Sequence, residues 1–137
     1  MIKKLELYCK HIDELQRITK NALPLESCAL LVGNIRYDIA KVEYIIELKN
    51  IANSYAMFMF DEKEFYELYM KVRKDKRDII AIFHSHPSKP EPSSMDLKYM
   101  ILNQIPWIIM SNIDYKFYAY AYYDKLEMVE IVILDTC

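Results

Sequence analysis

The stretch HSHPSKPEPSSMD, residues 84–96, carries the side chains with the clearest chemical potential. Two of the three histidines in the chain, His84 and His86, stand one residue apart at the end of an apolar run. Side chains two positions apart on a strand point to the same face, so both imidazoles can converge on one point. Asp96 can add a third ligand if the segment folds back, and three of the five prolines stiffen that return path.

Two histidines and a carboxylate would leave the fourth position of a zinc ion open, which is the arrangement of catalytic rather than structural zinc sites. Water in that position has its pKa lowered to about 7. The alternative is a polar, proline-rich turn leading into a helix, because Ser93 followed three residues later by Asp96 is also a helix-start pattern. Both interpretations hold together if Asp96 supports the helix start and also faces a metal.

A zinc hydrolase also needs a base that accepts a proton from the water, and a hydrogen-bond donor that stabilises the developing oxyanion. Glu26 is the candidate base, because it precedes the buried apolar run at 28–32, where a free carboxylate has no obvious structural purpose. Its alternative role is that of a solvated loop residue after Pro24. Ser93 is the candidate oxyanion donor, and its alternative role is a plain helix cap.

The elements that must position these residues follow from periodicity and turn signals. Helices are predicted over 9–22, about 61–75 and about 94–104. Strands are predicted at 27–32, 39–48, 56–60, 78–83, 107–111, 117–123 and 128–134. Gly33 and Asn34 predict a tight turn after the first of these strands. The intermixed pattern favours an α+β domain with a mixed central sheet and about three helices, and the length suits a single domain over residues 1–137.

Composition argues against several classes of protein, namely nucleic-acid-binding, membrane, secreted and disulfide-rich proteins. The net charge of −2 and the lack of a basic run argue against nucleic acid as a partner. No apolar run approaches the roughly 18 residues of a membrane span, and no signal-peptide pattern opens the chain, so a cytoplasmic protein is predicted. The odd, widely spaced cysteines do not suggest a disulfide framework. Cys9 and Cys28 are interpreted as buried thiols, and His11 as a solvated residue on a polar helix face.

The motifs HSHP and SSMD, with PLESCALLVG upstream, resemble the JAMM (MPN+) zinc metalloprotease family. The pattern of that family is an upstream Glu, then His-x-His-Pro, then Ser-x-x-Asp. The resemblance covers roughly residues 9–134, and the segment between Pro87 and Ser93 is at the short end for the family. It implies an MPN/JAMM-like α+β domain with cytidine-deaminase-like layering.

By this resemblance, His84, His86 and Asp96 are the Zn²⁺ ligands, Glu26 is the general base, and Ser93 supports the tetrahedral intermediate. The implied reaction is hydrolysis, by zinc-activated water, of the amide or isopeptide bond after the C-terminal tail of a ubiquitin-like modifier or sulfur-carrier protein. The minimal chain favours a prokaryotic enzyme of archaeal type, and a homodimer stays open. The alternative is a non-catalytic MPN scaffold in a protein complex, against which the filled ligand positions argue.

Overall fold

The computed structural model describes residues 1–50 and 61–137. In chain order the elements are β1 (Lys4–Leu7), α1 (Cys9–Ala22), β2 (Cys28–Arg36), β3 (Ile39–Leu48), α2 (Glu62–Lys74), β4 (Asp78–His86), α3 (Ser94–Leu102), β5 (Trp107–Ser111), β6 (Phe117–Tyr122) and β7 (Leu126–Ile133). None of the helices in these two ranges is long and apolar enough to cross a membrane.

The strands form one mixed sheet that closes on itself. Their hydrogen-bonded order is β1-β3-β2-β4-β5-β6-β7, and β7 pairs back onto β1. The β1–β3, β1–β7 and β4–β5 pairs are parallel, and the others are antiparallel. Within residues 1–50 and 61–137, the predicted α+β class with a mixed sheet and about three helices is confirmed. The closure of the sheet into a barrel was not predicted.

Most predicted elements coincide with observed ones, with a few differences. The predicted helices match α1, α2 and α3 closely, and the strand expected at 39–48 is β3. Strand β1 was not predicted. The strand expected at 56–60 lies outside the described residues, and the cytidine-deaminase-like layering stays a prediction.

The central strands are buried on both faces. Along β2, Ala29 and Leu31 join a cluster with α1, whereas Cys28 and Leu30 join a second cluster with α2 and α3. This alternation is the two-residue period of a strand with apolar neighbours on both sides. His84 pairs with Cys28 across the sheet and therefore shares the face that α2 and α3 cover.

The prediction of a tight turn at Gly33 and Asn34 was wrong. Strand β2 continues to Arg36, and the chain turns at Tyr37, whose φ is 59°. The register with β3 shifts at Gly33, and a Cβ there would lie 1.8 Å from the carbonyl oxygen of Lys41. Glycine is thus required by the close approach of a neighbouring strand rather than by a turn.

The interpretation of Cys9 as a thiol was also wrong, because Cys9 and Cys137 form a disulfide with their Cα atoms 5.5 Å apart. The parallel β1–β7 pairing brings the end of the chain to the start of α1, where Leu134 N donates to Leu7 O. Sequence spacing cannot reveal this, since the two cysteines are 128 residues apart. Cys28 is a free, buried thiol, as predicted.

His11 is buried rather than solvated. Its Nδ1 accepts a hydrogen bond from Tyr8 N at 3.0 Å, and its Nε2 lies 3.3 Å from Glu43 O. Because Nδ1 accepts, Nε2 carries the proton and donates to the carbonyl of β3. Burial lowers the pKa of His11, which keeps the ring neutral in this role.

We expect a thiol titration to distinguish the three cysteines. The native protein should show no reactive thiol, because Cys28 is fully buried and burial raises its pKa to about 12. Denaturation without reductant should expose one thiol, and denaturation with reductant should expose three. Three thiols in the denatured, unreduced protein would contradict the Cys9–Cys137 bond.

Candidate metal centre

The two histidines end a strand that the sheet holds on both sides. Strand β4 pairs antiparallel with β2 as far as His84 and parallel with β5 as far as His86, so neighbouring backbone fixes both histidines. His84 and His86 are buried, and their Nε2 atoms lie 2.9 Å apart. The expected convergence of two imidazoles from alternate strand positions is therefore present in the structure.

Asp96 reaches the histidines from the first turn of α3. Its backbone N donates to Ser93 Oγ at 3.1 Å, and Ser93 N donates to Asp96 Oδ2 at 2.7 Å, which is a reciprocal capping box. Asp96 Oδ1 lies 3.2 Å from His84 Nε2, and Oδ2 lies 3.0 Å from His86 Nε2. The carboxylate thus starts the helix and faces both rings, so the two sequence interpretations describe the same residue.

The three side chains fit a metal ion. Bonds of about 2.0–2.2 Å in tetrahedral geometry place neighbouring ligand atoms about 3.3–3.6 Å apart. The observed separations of 2.9, 3.2 and 3.0 Å are slightly shorter, so small side-chain shifts would open the group to an ion. Two nitrogens and one oxygen form a donor set that suits zinc. Among the described residues, His84, His86 and Asp96 form a buried group with metal-binding spacing.

The electrostatics of the group arise from burial and mutual contact. Burial lowers the pKa of His84 and outweighs the opposing effect of Asp96. Burial also acts to lower the pKa of His86, but contact with the Asp96 carboxylate and the charge of Glu26 leave it raised. Burial acts to raise the pKa of Asp96, yet hydrogen bonds with both rings hold it well below its usual range. Asp96 is therefore an anion facing two imidazoles.

Glu26 lies at the edge of this group. Only 3% of its surface is exposed, and its Oε1 is 4.0 Å from His86 Nε2. Burial, reinforced by the charge of Asp96 and opposed by His86, raises the pKa of Glu26 to about 7. A carboxyl group with a pKa near neutrality can both accept and release a proton, as acid–base catalysis requires.

Two serines that were not predicted as site residues fix Glu26 against β4. Ser27 N donates to Ser85 Oγ at 2.9 Å, the two hydroxyl oxygens are 2.9 Å apart, and Ser85 N donates to Ser27 O at 3.1 Å. Ser85 stands between the two histidines, and Ser27 follows Glu26. The only indication in the sequence that these serines belong to the site is that each is adjacent to a candidate site residue. The side-chain amide of Asn50 also donates a hydrogen bond from Nδ2 to Glu26 O at 2.9 Å.

A hydrogen bond from a tyrosine of β6 stabilises the loop between His86 and Ser93. The Tyr120 hydroxyl donates a hydrogen bond to Pro90 O at 2.9 Å, and the tyrosine is nearly buried.

Ser93 is exposed at the start of α3, where its hydroxyl proton can point toward solvent or a ligand. Ser111 pairs with His86 in the sheet, but its Oγ accepts from Ile113 N at 3.1 Å.

Comparison with known proteins decides the family. A family model described as prokaryotic homologs of the JAB domain matches residues 9–122. The chain belongs to this family. The matched range contains every candidate site residue, and it confirms the JAMM/MPN resemblance.

Three individual proteins resemble the chain in sequence or in fold. The chain is 29% identical over 111 residues to a desampylase from Pyrococcus furiosus, covering 80% of this chain and 76% of that protein. The solution structure of protein DSY2949 from Desulfitobacterium hafniense is 27% identical, with a TM-score of 0.83 over 96% of this chain and 94% of that chain. A solution structure from Salinibacter ruber, 20% identical, shares the fold with a TM-score of 0.71 over 95% and 92% of the two chains.

We expect Tyr120→Phe to weaken Zn²⁺ binding by about three- to tenfold, because one hydrogen bond of about 1 kcal/mol no longer fixes the loop that leads to Asp96. Competition with a chromophoric chelator measures this affinity. Tyr118→Phe is the matched control, since Tyr118 lies on the same strand with 45% of its surface exposed. Equal affinities for Tyr120→Phe and the wild type would show that the tyrosine does not order the loop.

Proposed function

We propose that this protein is a zinc-dependent isopeptidase that hydrolyses the bond after the C-terminal tail of a ubiquitin-like modifier or sulfur-carrier protein. The observation that carries the proposal is the convergence of His84, His86 and Asp96, with Glu26 4.0 Å from His86. Support also comes from the relative named desampylase, a name that denotes removal of a ubiquitin-like modifier. A single domain over residues 1–137 would contain all of these groups.

The proposed ligand set is His84, His86 and Asp96. When bound, a zinc ion supplies Lewis acidity, which lowers the pKa of water to about 7 and polarises the scissile carbonyl. Three protein ligands leave room for water and substrate, as in catalytic rather than structural zinc sites. The buried position of the ligands excludes bulk water and strengthens every charge interaction in the site.

Glu26 is proposed to move the protons. Its carboxylate accepts a proton from the attacking water and passes it to the nitrogen of the leaving amine as the C–N bond breaks. The Ser27–Ser85 contacts keep the carboxylate beside His86, where it can reach both the water and the leaving amine. Ser93 is proposed to donate its hydroxyl proton in a hydrogen bond to the oxyanion, since its Oγ already accepts from Asp96 N.

The proposed substrate presents an extended tail of small residues. A groove of about 540 Å³ lies along the loop between His86 and Ser93 and gives space for a peptide segment. It is lined by residues including Ser88, Glu91, Asp114 and Tyr118. We propose a cytoplasmic location, where the Cys9–Cys137 bond would be unusual outside the disulfide-rich intracellular proteins of hyperthermophiles.

Glu26→Gln is expected to reduce kcat by at least about 100-fold, because an amide of the same shape cannot accept the proton. Bound zinc, counted by mass spectrometry, should stay at the wild-type level because Glu26 is not one of the three proposed ligands. Glu47→Gln, at an exposed position of β3, serves as the control and should cleave normally. Wild-type turnover by Glu26→Gln would reject this carboxylate as the base.

The reaction class is tested with a panel of conjugates of ubiquitin-like and sulfur-carrier proteins, with and without a zinc chelator. We expect cleavage at the modifier C-terminus that stops with chelator and returns with added Zn²⁺. His86→Ala should lose both the metal and the cleavage. A protein that holds zinc but cleaves no conjugate in the panel would instead favour the scaffold alternative.

A further inference from the structure

Strands β6 and β7 separate from each other at one end of the barrel. Within residues 61–137, the last pair of their ladder at this end is Ala119 with Val129. Beyond this pair, Phe117 stays on β5 opposite Met110, and residues 130–133 stay on β1. The separation leaves a cleft of about 540 Å³ between the two strands; it is lined by residues including Phe117, Tyr118, Met128, Ile131 and Ile133.

The backbone on both sides directs hydrogen-bonding groups into this cleft. Glu130 N donates to Lys3 O, so the even-numbered residues in this part of β7 bond to β1. Because successive residues of a strand direct their N–H and C=O groups to opposite edges, those of Ile131 and Ile133 face the cleft. Phe117 faces it from β6, since its preceding neighbour in the chain bonds to β5. An open strand edge of this kind is a template for another extended chain.

Contacts at both edges hold the cleft open. The chain after β7 is fixed at the start of α1, because Cys9 N donates to Asp135 Oδ1 at 2.8 Å and Cys9 is bonded to Cys137. On the other side, Lys116 N donates to Asp114 Oδ1 at 3.1 Å in the turn that leads into β6. Neither strand can close onto the other without losing its pairs to β1 or β5. The cleft is therefore built into the fold.

The cleft joins the groove that lies along the loop between His86 and Ser93. Tyr118 lines both of them, and 45% of its surface is exposed, so a ligand can lie across it. The groove is also lined by Ser111, which pairs with His86 in the sheet. One continuous surface therefore runs from the strand neighbour of a proposed metal ligand, across Tyr118, to the edge of β7.

We propose that this cleft, formed by Phe117, Tyr118, Met128, Ile131 and Ile133, binds an extended segment of the protein that bears the modified lysine. The proposal rests on the proposed isopeptidase function and names the partner on the leaving-amine side of that site. Strand addition supplies the main-chain hydrogen bonds, and pockets for alternate side chains supply the preference for sequence. The expected segment therefore carries apolar residues at alternate positions beside its lysine.

The size and polarity of the lining select this part of the substrate. Met128 and Ile133 are 62% and 43% exposed, so the cleft offers apolar surface that a bulky apolar side chain would bury favourably. A modifier tail of small residues would cover little of this surface. The other chain that meets at the scissile bond is the one that carries the lysine, and its flanking residues are free to be large.

Peptide binding tests the cleft without any cleavage. The probe is a fluorescein-labelled peptide of about nine residues, with a central lysine among alternating isoleucines and threonines, whose polarisation reports binding. The wild-type protein should bind it saturably below about 1 mM, and should bind a glycine–serine peptide of equal length at least about tenfold more weakly. Ile133→Arg and Met128→Arg should each weaken binding of the first peptide at least about tenfold, because the peptide would cover the new charge.

Ile35→Arg is the matched control. Ile35 lies on β2 with the same exposed fraction as Ile133, 43%, and it is outside the cleft. This variant should bind the peptide as the wild type does. Thermal unfolding checks the fold of every variant, and the greater exposure of Met128 makes Met128→Arg the safer of the two cleft variants. Absence of saturable binding by the wild type, equal binding of both peptides, or an equal loss in Ile35→Arg would overturn the proposal.

Cleavage separates this proposal from the isopeptidase function. When a ubiquitin-like modifier is joined to the lysine of each peptide, the isoleucine–threonine conjugate should have a KM at least about tenfold lower with a similar kcat. Ile133→Arg should remove that difference. Peptide binding without cleavage of any conjugate would count against the isopeptidase function and leave the cleft as a peptide site. Cleavage of both conjugates with the same KM would count against the cleft alone.

Discussion

The pairing of β2 with β4 is the interaction on which the rest of the site depends. It sets Cys28 opposite His84, and it continues past the last strand pair through the Ser27–Ser85 hydrogen bonds. These bonds bring Glu26 to the histidines, although the chain separates them by nearly sixty residues. Because both strands are buried on two faces, a one-residue shift in their register would move apolar side chains out of two clusters at once.

Asp96 shows how a structural role and a chemical role can share one side chain. A reciprocal helix cap is worth on the order of 1 kcal/mol, and it fixes the carboxylate before any ligand arrives. The same oxygen that accepts from Ser93 N also lies 3.0 Å from His86 Nε2. Preorganisation of this kind lowers the ordering cost of binding, since little side-chain freedom is left to lose.

The sequence predicted features governed by local patterns, and it missed those that depend on distant partners. Helices α1 and α2 follow from periodicity, and the grouping of His84 with His86 follows from strand geometry. Closure of the barrel, the Cys9–Cys137 bond and the burial of His11 all arise from elements remote in sequence, so no local signal reports them. Gly33 was recognised as special, but its cause is the Lys41 carbonyl of the neighbouring strand rather than a turn.

The parallel β1–β7 pair has a consequence for how the molecule is made. It joins strands near opposite ends of the chain, with Leu7 aligned to Ile133, so it is a contact of very high sequence separation. On the ribosome, β2 to β6 and all four polar groups of the candidate centre are synthesised before the strand that closes the barrel. A nascent chain therefore carries an open sheet edge on β1 until β7 emerges, and during that interval the edge is exposed to mispairing with other chains.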